Sequence, residues 1–370
     1  MKPEPFRLER YFAEYEFTAP YLLCCSDCES LSIGDLLAFE DGAHERFMSL
    51  GLGYTESLGH PHLRHRIASL YEGVSPQEIM VHAGAEEAIF NFMHVLLDPG
   101  DQIIVHYPCY QSLGEVARSI GADVIPWRCD AADQWALDLR DLENSLTDRT
   151  RVVVVNLPHN PTGFLPPPDF MHRLSRLSDE HGFIVFSDEV YRGLEYDPHR
   201  RLPAFADVND RGVSLGVMSK TYGLAGLRIG WIATHNRDLF GDMAAFKDYT
   251  TICNSAPSEF LAALALKHRE AIVARNLTII RDNLEVLNSF FSRHGDIFDW
   301  HEPQAGPIAF PRYLGGSVEA FCHDLVAGRG VLLLPGTLYG REFDSFRIGF
   351  GRSNLTECVS HLERFIDDNG

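Results

Sequence analysis

The chain has 370 residues, of which 45% are hydrophobic, and this is enough for a large core that we expect to divide between two domains. Its 52 acidic and 32 basic residues give a formal net charge of −20, which argues against a nucleic-acid or anionic-membrane partner because both require basic surfaces. The charged, aromatic N-terminus and the lack of any run of about 18 apolar residues argue against a signal peptide and a membrane span.

From residue 78 onward, short apolar runs alternate with stretches that have helical spacing. The runs predict strands at 78–84, 101–108, 122–127, 151–158, 181–191 and 212–220, and the helical stretches include 85–97, 110–121 and 170–182. The run "RVVVVNLP" at 151–158 is continuous and β-branched, which is typical of a strand buried on both faces. The alternation predicts an α/β fold with an open, mostly parallel sheet and helices on both faces.

The C-terminal third has a different pattern. A long helical stretch covers 255–295, and short strands at 307–313, 330–336 and 346–352 are interspersed with helices at 317–330 and 355–368. This α+β pattern predicts a second, smaller domain. We assign 36–260 to the large domain, and 1–35 together with 261–370 to the small domain.

Polar side chains follow several of the predicted strands, at the edge where open parallel sheets bind ligands. Asn156, Asp188 and Lys220 end three strands, Tyr110 follows a fourth, and Gly84 opens a helix after a fifth. Each residue alone has an ordinary explanation as a turn, a helix cap or a core aromatic. Their combination in this order favours a single site.

Lys220 lies in the segment "GVMSKTYGLAGLRIGW", among glycines and apolar residues, where a charged amine is costly to bury. A helix N-terminus binds phosphate, and Arg228 can add a bidentate contact to it. Together with an aromatic wall and a carboxylate, these groups describe pyridoxal 5′-phosphate, whose aldehyde forms a Schiff base with a lysine. We expect Gly223 and Gly226 to turn the backbone so that Arg228 returns to the phosphate.

Other ligand classes fit the sequence less well. A nucleotide P-loop requires glycine before the lysine, where this chain has Ser219, and no predicted strand is followed by G-x-G-x-x-G. Cys25 and Cys28 form a C-x-x-C without a second ligand pair, and His60 and His62 lie in a loop, so we predict no metal site. The eight cysteines are scattered, which fits a reducing cytoplasm.

The sequence resembles the class I/II aminotransferases, which have fold type I among pyridoxal-phosphate enzymes. The resemblance is carried by "SKTYGLAGLRIGW", "HNPTG", "SDEVY", "GYTESLGHPHLR", "LLLPG" and "FRIGFGR", and it extends from about Tyr54 to Arg347. It implies a large domain with a mostly parallel seven-stranded sheet flanked by helices, plus a smaller α+β domain.

The resemblance also implies roles for the matching residues. Lys220 would form the internal aldimine and shuttle the proton at the substrate α-carbon, and Asp188 would pair with the pyridine nitrogen. Tyr191 and Asn160 would bind the phenolic oxygen. Tyr110 would lie against the ring. The phosphate would be held by Gly84, the amides of Ala85 and Glu86, Ser219 and Arg228, and by Tyr54 from the partner subunit of a homodimer. Arg347 and Asn160 would bind the substrate α-carboxylate.

Two positions depart from the family pattern. Ala85 and Val217 stand where the family often has hydroxyl side chains, so the phosphate would have fewer hydrogen-bond donors. Arg352 is interpreted as a surface residue.

The segments 21–32 and 54–60 contain Ser26 and His60. We interpret both segments as ordinary loops, although the corresponding loops of the family contact the substrate.

The resemblance favours an aminotransferase that moves the amino group of an L-amino acid to a 2-keto acid. The alternative is a lyase or a β/γ-elimination or replacement enzyme of a biosynthetic pathway, acting on a sulfonium or another activated amino acid, because the same residues serve that chemistry. A ligand-sensing regulator is disfavoured, since only about 50 residues precede the "GYTES" motif and they are too acidic for a DNA-binding domain.

Overall fold

The computed structural model describes residues 2–369, and the chain begins with five short elements. They are helix α1 (Arg7–Tyr15), strand β1 (Tyr21–Leu22), and helices α2 (Ile33–Leu37), α3 (Ala43–Met48) and α4 (Pro61–Ala68). Helix α2 begins at a capping box in which Ser32 and Asp35 satisfy each other's backbone amides, as the sequence S-x-x-D favours.

Seven strands form the central sheet. They are β2 (Ile79–His82), β3 (Gln102–Tyr107), β4 (Asp123–Arg128), β5 (Thr150–Asn156), β6 (Ile184–Asp188), β7 (Val213–Val217) and β8 (Gly230–Ala233). Their spatial order is β2-β8-β7-β6-β5-β3-β4, and only β8 runs antiparallel to its neighbours. The predicted fold class is therefore confirmed. The periodicity had indicated six of these strands, and it missed the four-residue β8 beside the glycine-rich segment.

Helices cover both faces of this sheet. They are α5 (Ala85–Leu96), α6 (Ser112–Ile120), α7 (Leu139–Ser145), α8 (Phe170–His181), α9 (Phe205–Val208) and α10 (Arg237–Lys247). Along β3, Ile103 and Val105 join the core under α5, whereas Ile104 joins the core under α8. Successive side chains of a strand point to opposite faces, so a strand covered on both sides needs the continuous apolar run that the sequence shows.

The C-terminal part contains four more helices and six two- to four-residue strands. They are α11 (Ala256–Lys267), α12 (Arg269–Arg293), β9 (Phe298–Asp299), β10 (Ile308–Ala309), β11 (Arg312–Tyr313), α13 (Val318–Arg329), β12 (Val331–Leu332), β13 (Leu334–Pro335), β14 (Phe346–Gly349) and α14 (Leu355–Asn369). The helical stretch predicted over 255–295 contains two helices, which are separated at His268, whose φ of −107° and ψ of 22° are not helical.

The N-terminal segment packs against this C-terminal part. Strand β1 pairs with β12 in parallel, and the Tyr11 hydroxyl donates to the Leu333 carbonyl over 2.9 Å. These contacts are those expected if residues 1–35 belong with the small domain, although the boundaries themselves remain a prediction. Among residues 2–369, no helix has the length and apolar character needed to span a membrane.

Candidate active site

The carboxyl ends of the central strands open into a cavity of about 520 Å³. Asn156 ends β5 and Asp188 ends β6, while Lys220 lies three residues beyond the end of β7. The structure brings ten of the predicted site residues to this cavity. They are Ala85, Glu86, Tyr110, Asn160, Asp188, Tyr191, Ser219, Lys220, Arg228 and Arg347.

Lys220 lines the cavity, and its Nζ donates a hydrogen bond to Ser26 Oγ over 2.8 Å. Burial lowers the pKa of Lys220, and the carboxylate of Asp27 opposes this shift more than Asp188 does. Because a lowered pKa increases the share of neutral amine near neutral pH, Lys220 is suited to attack a carbonyl carbon and to exchange protons.

Asp188 is the most deeply placed carboxyl group of the site, with 6% of its surface exposed. Burial raises its pKa to about 7. Its Oδ1 accepts a hydrogen bond from the Val190 amide over 3.2 Å, and its backbone carbonyl accepts one from Asn156 Nδ2 over 3.0 Å. A buried carboxyl group held in this way fits a cationic ring nitrogen, whose charge would favour the ionised form.

An anion cradle is formed where α5 begins. Gly84 precedes the helix with φ of +90°, and a Cβ at this position would lie 2.5 Å from Arg228 Nη2. A glycine is therefore required for the guanidinium to reach the free amides of the first helical turn, which include those of Ala85 and Glu86. Helix amides and a guanidinium together fit a phosphate group.

The turn that returns Arg228 to this cradle differs from the expectation. Gly223 has φ of +66°, and a Cβ there would lie 2.8 Å from the Glu29 carbonyl oxygen, so its glycine is required. The role expected for Gly226 is wrong, because it lies in open space without a left-handed φ. Arg228 itself completes the turn by adopting φ of 50° and ψ of 51°.

Arg347 lies in β14 and is 1% exposed, yet it retains hydrogen-bonding capacity. Its Nε donates to the Cys24 carbonyl over 3.1 Å, and its Nη1 donates to the Tyr339 hydroxyl over 2.9 Å and to Asn160 Oδ1 over 3.4 Å. No atom of residues 2–369 accepts a hydrogen bond from Nη2. A fixed guanidinium with a free edge in a cavity fits a carboxylate.

The loops that carry Tyr110 and Asn160 are fixed by a buried polar cluster. His159 Nε2 donates to the Pro108 carbonyl over 2.7 Å, and its ring stacks on His106 at 3.7 Å. His106, Cys129 and His159 also have potential metal-ligand atoms within 4.8 Å of one another. Both ring nitrogens of His159 are already hydrogen-bonded, so we interpret this cluster as a support for the two loops.

The two predicted tyrosines make hydrogen bonds to the N-terminal part of the chain. The Tyr191 hydroxyl donates to the Ser26 carbonyl over 3.1 Å, and the Tyr110 hydroxyl donates to Glu9 Oε1 over 3.0 Å. The segment 6–27 therefore forms one wall of the site. The cavity-lining residues that the sequence analysis missed in this wall are Phe6, Leu8, Glu9, Phe12, Glu16, Cys25 and Asp27.

Two interpretations of single residues are corrected. Ser26 is no ordinary loop residue, because it accepts a hydrogen bond from Lys220. Arg352 is only partly exposed, and it forms an ion pair with Asp27 over 3.0 Å. The contact joins positions 325 residues apart, so no local sequence pattern could have indicated it.

Tyr54 does not line the cavity of its own chain and is 93% exposed. Glu56 and His60 lie with it in a separate cleft of about 500 Å³. Val217 is buried in the cavity wall and supplies an apolar surface in place of a hydroxyl group.

Comparisons with known proteins agree with this geometry. A profile described as "Aminotransferase class I and II" matches residues 42–362. The chain is 33% identical to capreomycidine synthase of Streptomyces vinaceus over 347 residues, which cover 93% of this chain and 88% of that protein. Among solved structures, a PLP-dependent aminotransferase of Streptococcus suis is similar with a TM-score of 0.94 and 29% identity, covering 100% of this chain and 99% of that one. The PLP-dependent cyclase OrfR has a TM-score of 0.90 and 26% identity over the same shares of both chains.

Proposed function

Because the chain belongs to the class I and II aminotransferase family, we propose that it binds pyridoxal 5′-phosphate and acts at the α-carbon of an L-amino acid. One observation carries the proposal: the cavity places the amine of Lys220 together with a buried carboxyl group, Asp188, and a guanidinium with a free edge, Arg347. These three groups match the needs of a cofactor aldehyde, a ring nitrogen and a substrate carboxylate.

The residues present fit the cofactor. The α5 amides at Ala85 and Glu86, with Arg228 and Ser219, would hold its phosphate, and Asp188 would hold its ring nitrogen. Tyr110 would lie against the ring. Pyridoxal phosphate, when bound, supplies an electron sink for the bonds at the amino acid α-carbon.

The chain's own residues would orient the substrate and move the proton. Arg347 would bind the α-carboxylate through Nη2, while the bonds from its Nε and Nη1 keep the guanidinium in one orientation. The neutral amine of Lys220 would then take the proton from the substrate α-carbon and return it to another atom. Asn160 and Tyr191 would donate to the phenolic oxygen of the cofactor.

Transamination to a 2-keto acid is the first candidate reaction. Elimination or replacement at the side chain of an activated amino acid is the second, and the capreomycidine synthase and cyclase relatives favour it. Both reactions begin with loss of the α-proton, so they share the residues described above.

We also propose that the enzyme is a homodimer in which Tyr54 reaches the phosphate of the partner's site. The exposure of Tyr54 supports this, and large apolar side chains, including Met48, Leu52, Tyr249 and Ile252, are exposed as well. A cytoplasmic location remains a prediction from the cysteine pattern.

The test uses the purified holoenzyme and single amino acids without any keto acid. Conversion of the cofactor to its pyridoxamine form supports transamination. Release of ammonia or of a cyclic product with the original cofactor absorbance supports the second candidate. If a Lys220→Ala variant still retains a cofactor that borohydride fixes to the protein, the assignment of the site is wrong.

A further inference from the structure

The cavity wall carries more acidic than basic groups. Five carboxyl residues line it, whereas its cations on this chain are Lys220, Arg228 and Arg347. If the proposed function holds, each cation has an assigned partner, namely the cofactor aldehyde, the phosphate and the substrate α-carboxylate. The surplus charge of the wall is therefore negative.

The carboxylates differ in what they contact. Asp188 is assigned to the ring nitrogen, and Asp27 is paired with Arg352 over 3.0 Å. Within the described part of the chain, Glu9 accepts a hydrogen bond only from the neutral hydroxyl of Tyr110, over 3.0 Å. The remaining two carboxyl residues of the lining are Glu16 and Glu86, and like Glu9 they form no ion pair within residues 2–369.

The first of these is Glu16, the residue directly after α1. It is partly buried and has neither a hydrogen bond nor an ion pair from its side chain to the described residues 2–369. Burial raises its pKa, and the nearby Asp27 adds to the shift, while Arg352 and Lys220 only partly oppose it. An incoming cation would relieve both effects.

The second is Glu86, whose Oε2 is buried without a hydrogen-bond partner within residues 2–369. Burial raises the pKa of this carboxyl to about 6. A buried acceptor without a donor costs free energy unless a ligand satisfies it. The observation is independent of Glu16, since Glu86 lies in the first turn of α5 and not on the N-terminal wall.

We propose that the substrate is an amino acid whose side chain ends in a cation, a guanidinium or an ammonium group, and that Glu16 binds this group beside Glu9 and Asp27. Arg347 and Lys220 fix the α-carboxylate and the amine at one end of the substrate. The side chain then extends toward the N-terminal wall, where carboxylates stabilise a cation and repel a second carboxylate.

Helix α1 keeps this wall in place. The Tyr11 hydroxyl donates to the Leu333 carbonyl over 2.9 Å, and the Arg7 amide donates to Gln111 Oε1 over 3.0 Å. Leu8 is buried in the adjoining core. Because α1 is held at its first residue and near its middle, the position of Glu16 is defined before a substrate arrives, as specificity requires.

The experiment measures the concentration dependence of the change in cofactor absorbance when L-arginine, L-ornithine, L-norleucine or L-glutamate is added to the holoenzyme. Arginine or ornithine should bind at least about tenfold more tightly than norleucine, the size of one charge-assisted hydrogen bond, and glutamate should bind least. Equal or tighter binding of norleucine or glutamate overturns the proposal.

Glu16→Gln should weaken the binding of arginine or ornithine about tenfold more than the binding of norleucine. Glu14→Gln is the matched control, since Glu14 lies one residue before the end of α1 and is exposed. A loss that is equal for arginine and norleucine also overturns the proposal. If no amino acid changes the cofactor absorbance, the proposed function itself fails, and this result is distinct from a reaction without preference for cations.

Discussion

Substituting Asp188 by asparagine should stabilise the apoprotein at alkaline pH while it impairs the enzyme. Burial raises the pKa of Asp188 from 3.8 to about 7. The folded state therefore binds this proton more tightly than the unfolded state does. The contribution of the group to stability is fully present below pH 3.8 and is lost as the pH rises through about 7.

The expected magnitude follows from the shift. At pH 8 the rise in pKa lowers the unfolding free energy by about 4 kcal/mol relative to a side chain that stays neutral, because each pKa unit is worth about 1.4 kcal/mol. At pH 5 the same effect lowers the unfolding free energy by only about 2 kcal/mol. At this pH the carboxyl is protonated in the folded state and largely ionised in the unfolded state. Asparagine keeps the oxygen that accepts from the Val190 amide, so the gain should not be offset by a lost hydrogen bond.

The assay is urea unfolding of the cofactor-free protein, followed by tryptophan fluorescence at pH 5 and pH 8. Asp188→Asn should raise the unfolding free energy more at pH 8 than at pH 5. Asp282→Asn, on the exposed face of α12, is the control and should change it by less than about 0.5 kcal/mol at either pH. A variant that is less stable than the wild type at pH 8, or a gain independent of pH, would refute the reasoning.

Three further predictions concern the cofactor, the substrate and the assembly. Gly84→Ala should raise the cofactor dissociation constant, measured by equilibrium dialysis, at least about tenfold because the added Cβ would displace Arg228. Gly100→Ala is the control. Its φ of +91° is similar but no atom lies within 4 Å of the added Cβ, so the constant should not change. Arg347→Lys should raise KM for the amino acid at least about tenfold with a smaller change in kcat, since a lysine cannot keep the bonds of Nε and Nη1 together with a free donor edge; a change in kcat alone would contradict the assigned role. Mixing inactive Lys220→Ala subunits with Tyr54→Phe subunits should restore activity by forming hybrid dimers with one intact site, and no recovery despite subunit exchange would speak against a shared site.

The sequence by itself determined the architecture and several residues that line the candidate site. Apolar runs and helical spacing predicted six of the seven sheet strands, and Asn156, Asp188 and Lys220 were identified as the polar residues that follow them. This succeeded because parallel strands bring their carboxyl ends to one edge of a sheet, so residues distant in the chain become neighbours by topology alone.

The tertiary structure alone decided which side chains complete the site. Asp27 and Arg352 are 325 positions apart, and Lys220 and Ser26 are 194 apart, so their contacts depend on how the N-terminal segment packs over the cavity. Local patterns also misjudged Gly226, because Arg228 supplies the left-handed turn itself. Periodicity reports burial and backbone preference along a stretch of chain, whereas the charges that meet a substrate side chain are set by long-range packing of loops and helix ends.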